Sequence, residues 1–481
     1  MTVESTDQEL RHSGYQPELK RTLGGFQVFA ISFAFISVLV AIFATYGAVL
    51  NYSGPVGIWL WIIAAAGQTL VALVVAQFAA RIALTGSSYQ WASRLANPKV
   101  GWFFGWLTFW FLAIGVVAMN SALASQALMP LLGMAPDEGT ARLITLALML
   151  AEAALVIAST RLLGKVTSTT VALELGILAL LIVVLGAIMV FSGDGTAANL
   201  VSRGVAADAP NYFAIGGGLM AGMIMGLTTL VGFDSAANLA EEAKDPFRTV
   251  PRAIVSSVVV SATVGLLFVI VLTLAIKDIN AVSTSGSPVA TIIRGQLGPV
   301  TERILLTGIT FAMFGAGMVM IAACSRQAFA MARDSRFPAH QLFRKVSSRT
   351  HTPVPATILI LVIGAALMLI LPGDALLQLI VASTILPAVL YGGIVVLYLC
   401  VRKRLNTKAG GFSLGRFETP VAYIALVWVA FSIFALVSPN EARVPGLIVL
   451  GLIVLGGLYF VTLLFTNRGV LEAEPGDEGA F

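Results

Sequence analysis

Run after run of about 20 mostly apolar residues follows along this sequence, with short polar loops between. Inside lipid there is no water to satisfy backbone N–H and C=O groups. Runs of this length must therefore close their own hydrogen bonds as helices, because an open sheet edge has no partner there. Composition supports the same reading. Hydrophobic residues make up 58% of the 481 positions and charged residues 11%, with a mean hydropathy of +0.92, whereas a soluble chain carries about 25% charge. The fold class is an all-α integral membrane protein.

About 12 transmembrane helices are predicted. In the first half they run Phe26–Leu50, Val56–Ala80, Gly101–Leu132, Leu143–Ser159, Val166–Phe191 and Tyr212–Leu239. The second half gives Ile254–Ile276, Ile304–Ala332, Val354–Leu371, Ala375–Val401, Val421–Ser438 and Leu447–Thr466. Turn residues separate them, for example Asn51-Tyr-Ser-Gly-Pro55 and Leu371-Pro-Gly-Asp374. Lysine and arginine then set orientation, since they concentrate in cytoplasmic loops. With the N-terminus inside, 23 of the 29 fall on the cytoplasmic side; the other 6 are Arg142, Arg203, Lys277, Arg294, Arg303 and Arg443. Both termini are expected in the cytoplasm, and the protein in the cell membrane. No signal peptide is read in the polar first 25 residues, and the acidic, glycine-rich stretch from Leu471 to Phe481 is expected to be disordered.

Several function classes fall away. The basic residues are scattered over short loops, which is no nucleic-acid footprint. Cys324 and Cys400 lie in apolar runs and read as small hydrophobes, not as a disulfide framework. His12, His340 and His351 lie in tail or loop, so neither a metal centre nor a catalytic triad is expected. No phosphate-binding glycine loop is present. A channel would need rings of carbonyls or charges, and an enzyme paired catalytic residues at one depth. A sensor on the same fold would carry a long tail. No cofactor is expected.

Ionisable residues within spans are costly and mark function by default. Glu152 lies midway along the fourth span, Glu174 in the cytoplasmic half of the fifth, and Asp234 in the sixth. The sixth also carries Gly216-Gly-Gly218, Gly222, Gly226 and Gly232, with Thr228 and Thr229 between them. Each glycine weakens a helix by about 1 kcal/mol relative to alanine. Such a segment can unwind and present backbone groups and half-helix dipole ends to a small zwitterion or cation. The competing reading is close helix packing, which suits the stretch from Gly216 to Gly226 best. The first span, at Phe35 to Ala41, has neither glycine nor proline, and periodicity alone does not break it.

Three motifs then occur in order: Thr85-Gly-Ser-Ser-Tyr-Gln-Trp91 with Asn97-Pro98 and Gly101-Trp-Phe-Phe-Gly-Trp106; Gly232-Phe-Asp-Ser235 with Ala240-Glu-Glu-Ala-Lys-Asp-Pro-Phe-Arg-Thr-Val-Pro-Arg-Ala-Ile254; and Ser325 to Asp334 with Pro338 and Thr352-Pro-Val-Pro-Ala356. Over nearly the whole chain the sequence resembles the amino acid–polyamine–organocation permeases, especially the amino acid/choline branch. That resemblance implies a five-plus-five inverted-repeat fold of the leucine-transporter type. Residues 1–25 would be a tail, 26–401 a ten-helix transport core, 402–466 two peripheral helices with their loop, and 467–481 a second tail. It also implies a secondary active transporter working by alternating access on a small amino acid or amine. Proton coupling is the expected drive; substrate exchange, or choline or polyamine transport, is the alternative.

Carried over by position, the resemblance implies substrate contacts at Ile36, Ser37, Val40, Ala41, Thr228, Thr229, Val231, Gly232, Phe233, Asp234 and Ser383. Gly315, Gly317 and Thr384 are further wall candidates that packing alone also explains. Asp234 either caps the broken helix or faces the substrate amine. Glu241 and Glu242, paired with Arg252, Arg333 or Arg336, are candidates for an intracellular gate, against plain solvated loop charge. Three departures stand out: Ala41 where members usually have glycine, Ser87-Ser88 where paired glycines are usual, and Glu174 where many carry a basic residue. Glu174 then exchanges protons, makes a neutral structural hydrogen bond, or partners a cationic substrate. The apolar third span (Leu112, Ile114, Val116, Val117) favours a neutral amino acid or monoamine over a polycation.

Overall fold

The computed structural model describes residues 24–81, 87–158, 160–191, 195–350, 352–405 and 412–472. Residues 1–23 and 473–481 of the two tails, and Thr85-Gly86 of the first motif, lie outside them, as do the side chains of Glu241 and Glu242. Among the described residues there is no strand, and eleven helices are long and apolar enough to cross a membrane. A shorter apolar helix of 17 residues, Val354–Ile370, completes the expected twelve.

In chain order, span 1 is Gly25–Tyr52, span 2 Pro55–Ala79, span 3 Pro98–Leu131, span 4 Glu138–Ala158 and span 5 Thr160–Phe191. Span 6 is Gly218–Ala237, span 7 Pro246–Leu274, span 8 Pro288–Arg333, span 9 Val354–Ile370 and span 10 Ala375–Arg404. Spans 11 and 12 are Gly415–Val437 and Asn440–Thr466. Five crossings form an odd number, so a second set of five enters the membrane from the opposite face. Span 6 is thus the inverted counterpart of span 1, and both are interrupted.

Span 1 divides at Ser37 into Gly25–Ile36 and Val38–Tyr52. Ser37 is left-handed (φ 42°, ψ 73°), which costs a side-chain-bearing residue about 1–2 kcal/mol. The ladder stops where Ser37 N–H donates to the Phe33 carbonyl (3.1 Å) and resumes where Ala41 N–H donates to that of Ser37 (3.1 Å). This break carries no glycine or proline, and sequence periodicity does not reveal it.

Span 6 departs further from its predicted range. Instead of one helix from Tyr212 to Leu239, it has helical turns at Gly218–Ala221 and Ile224–Thr229. A break at Leu230–Gly232 follows, and then a 3-10 helix, Phe233–Glu242. Gly232 is required twice over: its φ is +80°, and a Cβ there would lie 2.8 Å from Phe35 Cδ1. This contact brings the two breaks together. The other glycines of this span serve packing, as at Gly226, where a Cβ would meet that of Ala64 at 2.6 Å.

Span 8 starts earlier than predicted because two helices meet at Gly298 (φ 80°, ψ 168°). Pro299 opens the longer one, a position where the missing N–H costs nothing. Spans 11 and 12 lean on the rest through Arg81, 3.0 Å from Glu418, and through Trp106 Nε1, which donates to the Leu452 carbonyl (2.9 Å).

Candidate functional site

One cavity of about 600 Å³, counted to its open mouth, lies between the two breaks. Span 1 contributes Phe35, Ile36, Ser37, Val40, Ala41 and Ala44; span 6 contributes Thr228 and Val231. Opposite them stand Phe111, Gly115, Ala118, Met119 and Ala122 of span 3 and Met320 of span 8. Ile380, Ser383 and Thr384 of span 10 complete the lining. No charged side chain is among these residues. Of the residues expected from sequence, Ile36, Ser37, Val40, Ala41, Thr228, Val231 and Ser383 are brought together here.

The other expected contacts stand behind the wall. Thr229 is buried and donates its hydroxyl to the Met225 carbonyl (2.7 Å). Gly232, Phe233 and Asp234 are gathered by Tyr391 of span 10. The Tyr391 hydroxyl accepts from Gly232 N–H (2.9 Å) and donates to Asp234 Oδ1 (2.9 Å), while its ring stacks on Phe233 at 4.7 Å. Ser32 ties the same region to span 1. Its hydroxyl donates to the Phe233 carbonyl (2.9 Å) and accepts from Ala236 N–H (3.1 Å).

Glu174 of span 5 is buried against the break of span 1. Its carboxyl accepts from the Ser37 hydroxyl (3.1 and 3.2 Å to the two oxygens) and from Leu39 N–H (3.1 Å). Leu39 belongs to the first turn of Val38–Tyr52, and the opening N–H groups of a helix lack intrahelical partners. An acidic group at that end also meets the positive pole of the helix. Glu174 therefore caps the second half of span 1 from a different helix. The same rule leaves the Val38 and Val40 amides outside the helical ladder, along with the last carbonyls of Gly25–Ile36 and Ile224–Thr229. Both breaks thus offer polar backbone beside an uncharged space.

The side-chain hydroxyls of the cavity are already committed. Thr384 donates to the Ile380 carbonyl (2.7 Å), so in its 2.7 Å contact with Thr228 the donor is Thr228. Ser383 donates to the Ile380 carbonyl (3.0 Å). Gly315 and Gly317 serve packing instead: a Cβ at Gly315 would lie 2.1 Å from Thr170 Cγ2, and one at Gly317 2.2 Å from Glu152 Oε1. Glu152 is fully buried and accepts from Asn120 Nδ2 (2.9 Å).

At the loop end of span 8, Arg333 is exposed and lies 3.9 Å from its neighbour Asp334. Arg252 is exposed on span 7, and among the described residues no ion pair joins it to the others. The tight cluster there is a different one. Tyr89 donates to Asp334 (2.7 Å), and Arg336 donates to the Tyr89 hydroxyl (2.9 Å) and the Val470 carbonyl (3.1 Å). Sequence reasoning did not group Arg336 with Tyr89 and Asp334, and the span 3 residues it named, Leu112, Ile114, Val116 and Val117, are not among those lining the cavity. The wall had a signal, since residues 111, 115, 118, 119 and 122 recur at helical spacing on one face.

An all-helical membrane bundle with paired interrupted spans around a central cavity is an arrangement shared by many secondary transporters. Residues 23–460 match the amino acid permease family, and the chain belongs to it. It is 26% identical over 477 residues to the amino-acid permease BAT1 of Arabidopsis thaliana, covering 89% of this chain and 87% of that one. A BAT1 homolog from Oryza sativa subsp. japonica is 27% identical over 468 residues, covering 88% and 85%. In fold the chain is similar to a manganese transporter of Eremococcus coleocola, with a TM-score of 0.55 at 11% identity, covering 94% of this chain and 98% of that one.

Proposed function

We propose that this protein is a secondary active transporter that moves a small amino acid or amine across the cell membrane by alternating access. Spans 1–10 form the transport core, spans 11 and 12 are peripheral, and both termini face the cytoplasm. One observation carries the reading: an uncharged cavity lies between two interrupted helices whose ends hold backbone N–H and C=O groups outside the helical ladder. A zwitterion placed there meets amides with its carboxylate and carbonyls with its ammonium, at half-helix poles of the matching sign.

The drive we assign is a proton carried by Glu174. Its carboxyl joins span 5 to the break in span 1. Gain or loss of a proton there changes what holds Ser37 and Leu39, and so couples protonation to the shape of the site. A polyamine carrier, with two or more ammonium groups to neutralise, calls for carboxylates in the cavity, and none is among the lining residues. The test is uptake of radiolabelled amino acids into proteoliposomes under an inward proton gradient. Glu174→Gln keeps the shape but cannot exchange a proton, so its uptake is expected to ignore the gradient. Gradient-driven uptake equal to wild type in that variant sinks the coupling role.

A further inference from the structure

Resting on that reading of the cavity, we propose that the cargo is an α-amino acid with an apolar side chain, and that Gly115 and Met320 set its size limit. The wall supplied by spans 3 and 8 consists of Phe111, Gly115, Ala118, Met119, Ala122 and Met320. It carries no oxygen or nitrogen on any side chain. The hydroxyl protons on the other walls are spent inside the protein: Ser37 on Glu174, Thr228 on Thr384, and Ser383 and Thr384 on Ile380. A charged substrate side chain facing this wall would be buried without a partner, which is strongly unfavourable. An apolar one replaces water along the wall and loses nothing. The α-amino and α-carboxylate groups turn the other way, toward the helix ends at Ser37 and Leu230.

Size follows from one contact. Gly115 has no side chain, and a Cβ built there would lie 3.1 Å from Met320 Sδ. The cavity volume beside span 3 therefore depends on glycine at this position, in a helix that would otherwise favour alanine. Met320 and Met119 are flexible thioethers that reshape around different apolar groups. A range of apolar side chains is accommodated, with an upper bound where Met320 meets Gly115.

The experiment is competition for radiolabelled L-leucine uptake in proteoliposomes, with L-methionine, L-phenylalanine, L-alanine, L-serine, L-glutamate, L-lysine, choline and putrescine as unlabelled probes. The apolar amino acids are expected to compete at least tenfold better than the charged ones. Gly115→Val should weaken leucine and methionine relative to alanine by about tenfold or more, the scale of a methylene misfit in an apolar pocket. Met320→Ala should shift preference the opposite way, toward phenylalanine, and it stays informative if Gly115→Val fails to fold. L-lysine, L-glutamate or putrescine transported in preference would overturn the apolar assignment and leave the transporter reading standing. Variants that keep the wild-type order of competitors would overturn the role of Gly115 and Met320. Failure of every amino acid and amine to move would overturn this inference together with the proposed function.

Discussion

Glu174→Ala should destabilise the fold by an amount that its contacts set. The carboxyl is the acceptor for two groups, the Ser37 hydroxyl and Leu39 N–H, and both sit at a break that also holds Ser37 in a left-handed conformation. Leaving a buried donor unpaired costs about 1–3 kcal/mol, so two cost about 2–6 kcal/mol. The melting temperature of the purified protein should therefore fall measurably below that of wild type. Glu174→Gln retains one carbonyl oxygen for Leu39 and should lose about 1 kcal/mol. Combining Glu174→Ala with Ser37→Ala should give less than the sum of the single effects, because the two share one hydrogen bond. A Glu174→Ala protein that melts with wild type, or strict additivity in the double variant, would refute the capping argument.

Other variants probe the opposite break and the scaffold. Gly232→Ala places a methyl 2.8 Å from Phe35 Cδ1 at a φ of +80°; it should lower the melting temperature and abolish uptake, and an active variant would disprove the need for glycine. Tyr391→Phe removes the hydroxyl that holds Gly232 and Asp234 while keeping the stack on Phe233. It should raise KM for uptake several-fold at unchanged expression, and unaltered kinetics would remove Tyr391 from the positioning of span 6. Gly317→Ala drives a methyl to 2.2 Å from Glu152 Oε1, an overpacking worth about 1–3 kcal/mol. Adding Glu152→Ala should recover part of that loss in thermal unfolding, and no recovery would mean that the strain lies elsewhere.

Much of this molecule is written locally. Runs of about 20 apolar residues suffice for the spans, because lipid leaves the backbone no other solution. The break in span 6 is legible too, since Gly232 has both the conformational freedom and the missing side chain that the site requires. The break in span 1 is not. Ser37 adopts its conformation under contacts supplied by Glu174, 137 residues away, so no local signal exists. The same distance problem hides Tyr391, whose hydroxyl reaches Gly232 across 159 residues of chain. The cavity wall on span 3 lies between these extremes. Its spacing could be read from residue 111 onward, but only the fold shows that this face meets spans 1 and 6 and not lipid.

Counterflow tests the central claim most directly. Proteoliposomes preloaded with unlabelled L-amino acids are placed in a radiolabelled mixture, and wild type is compared with Ala41→Phe, which fills the cavity between the breaks. Wild type should accumulate label saturably, and Ala41→Phe, folded and inserted, should lose at least tenfold of that signal. Full counterflow through Ala41→Phe would place the transported molecule somewhere other than this cavity and contradict the account.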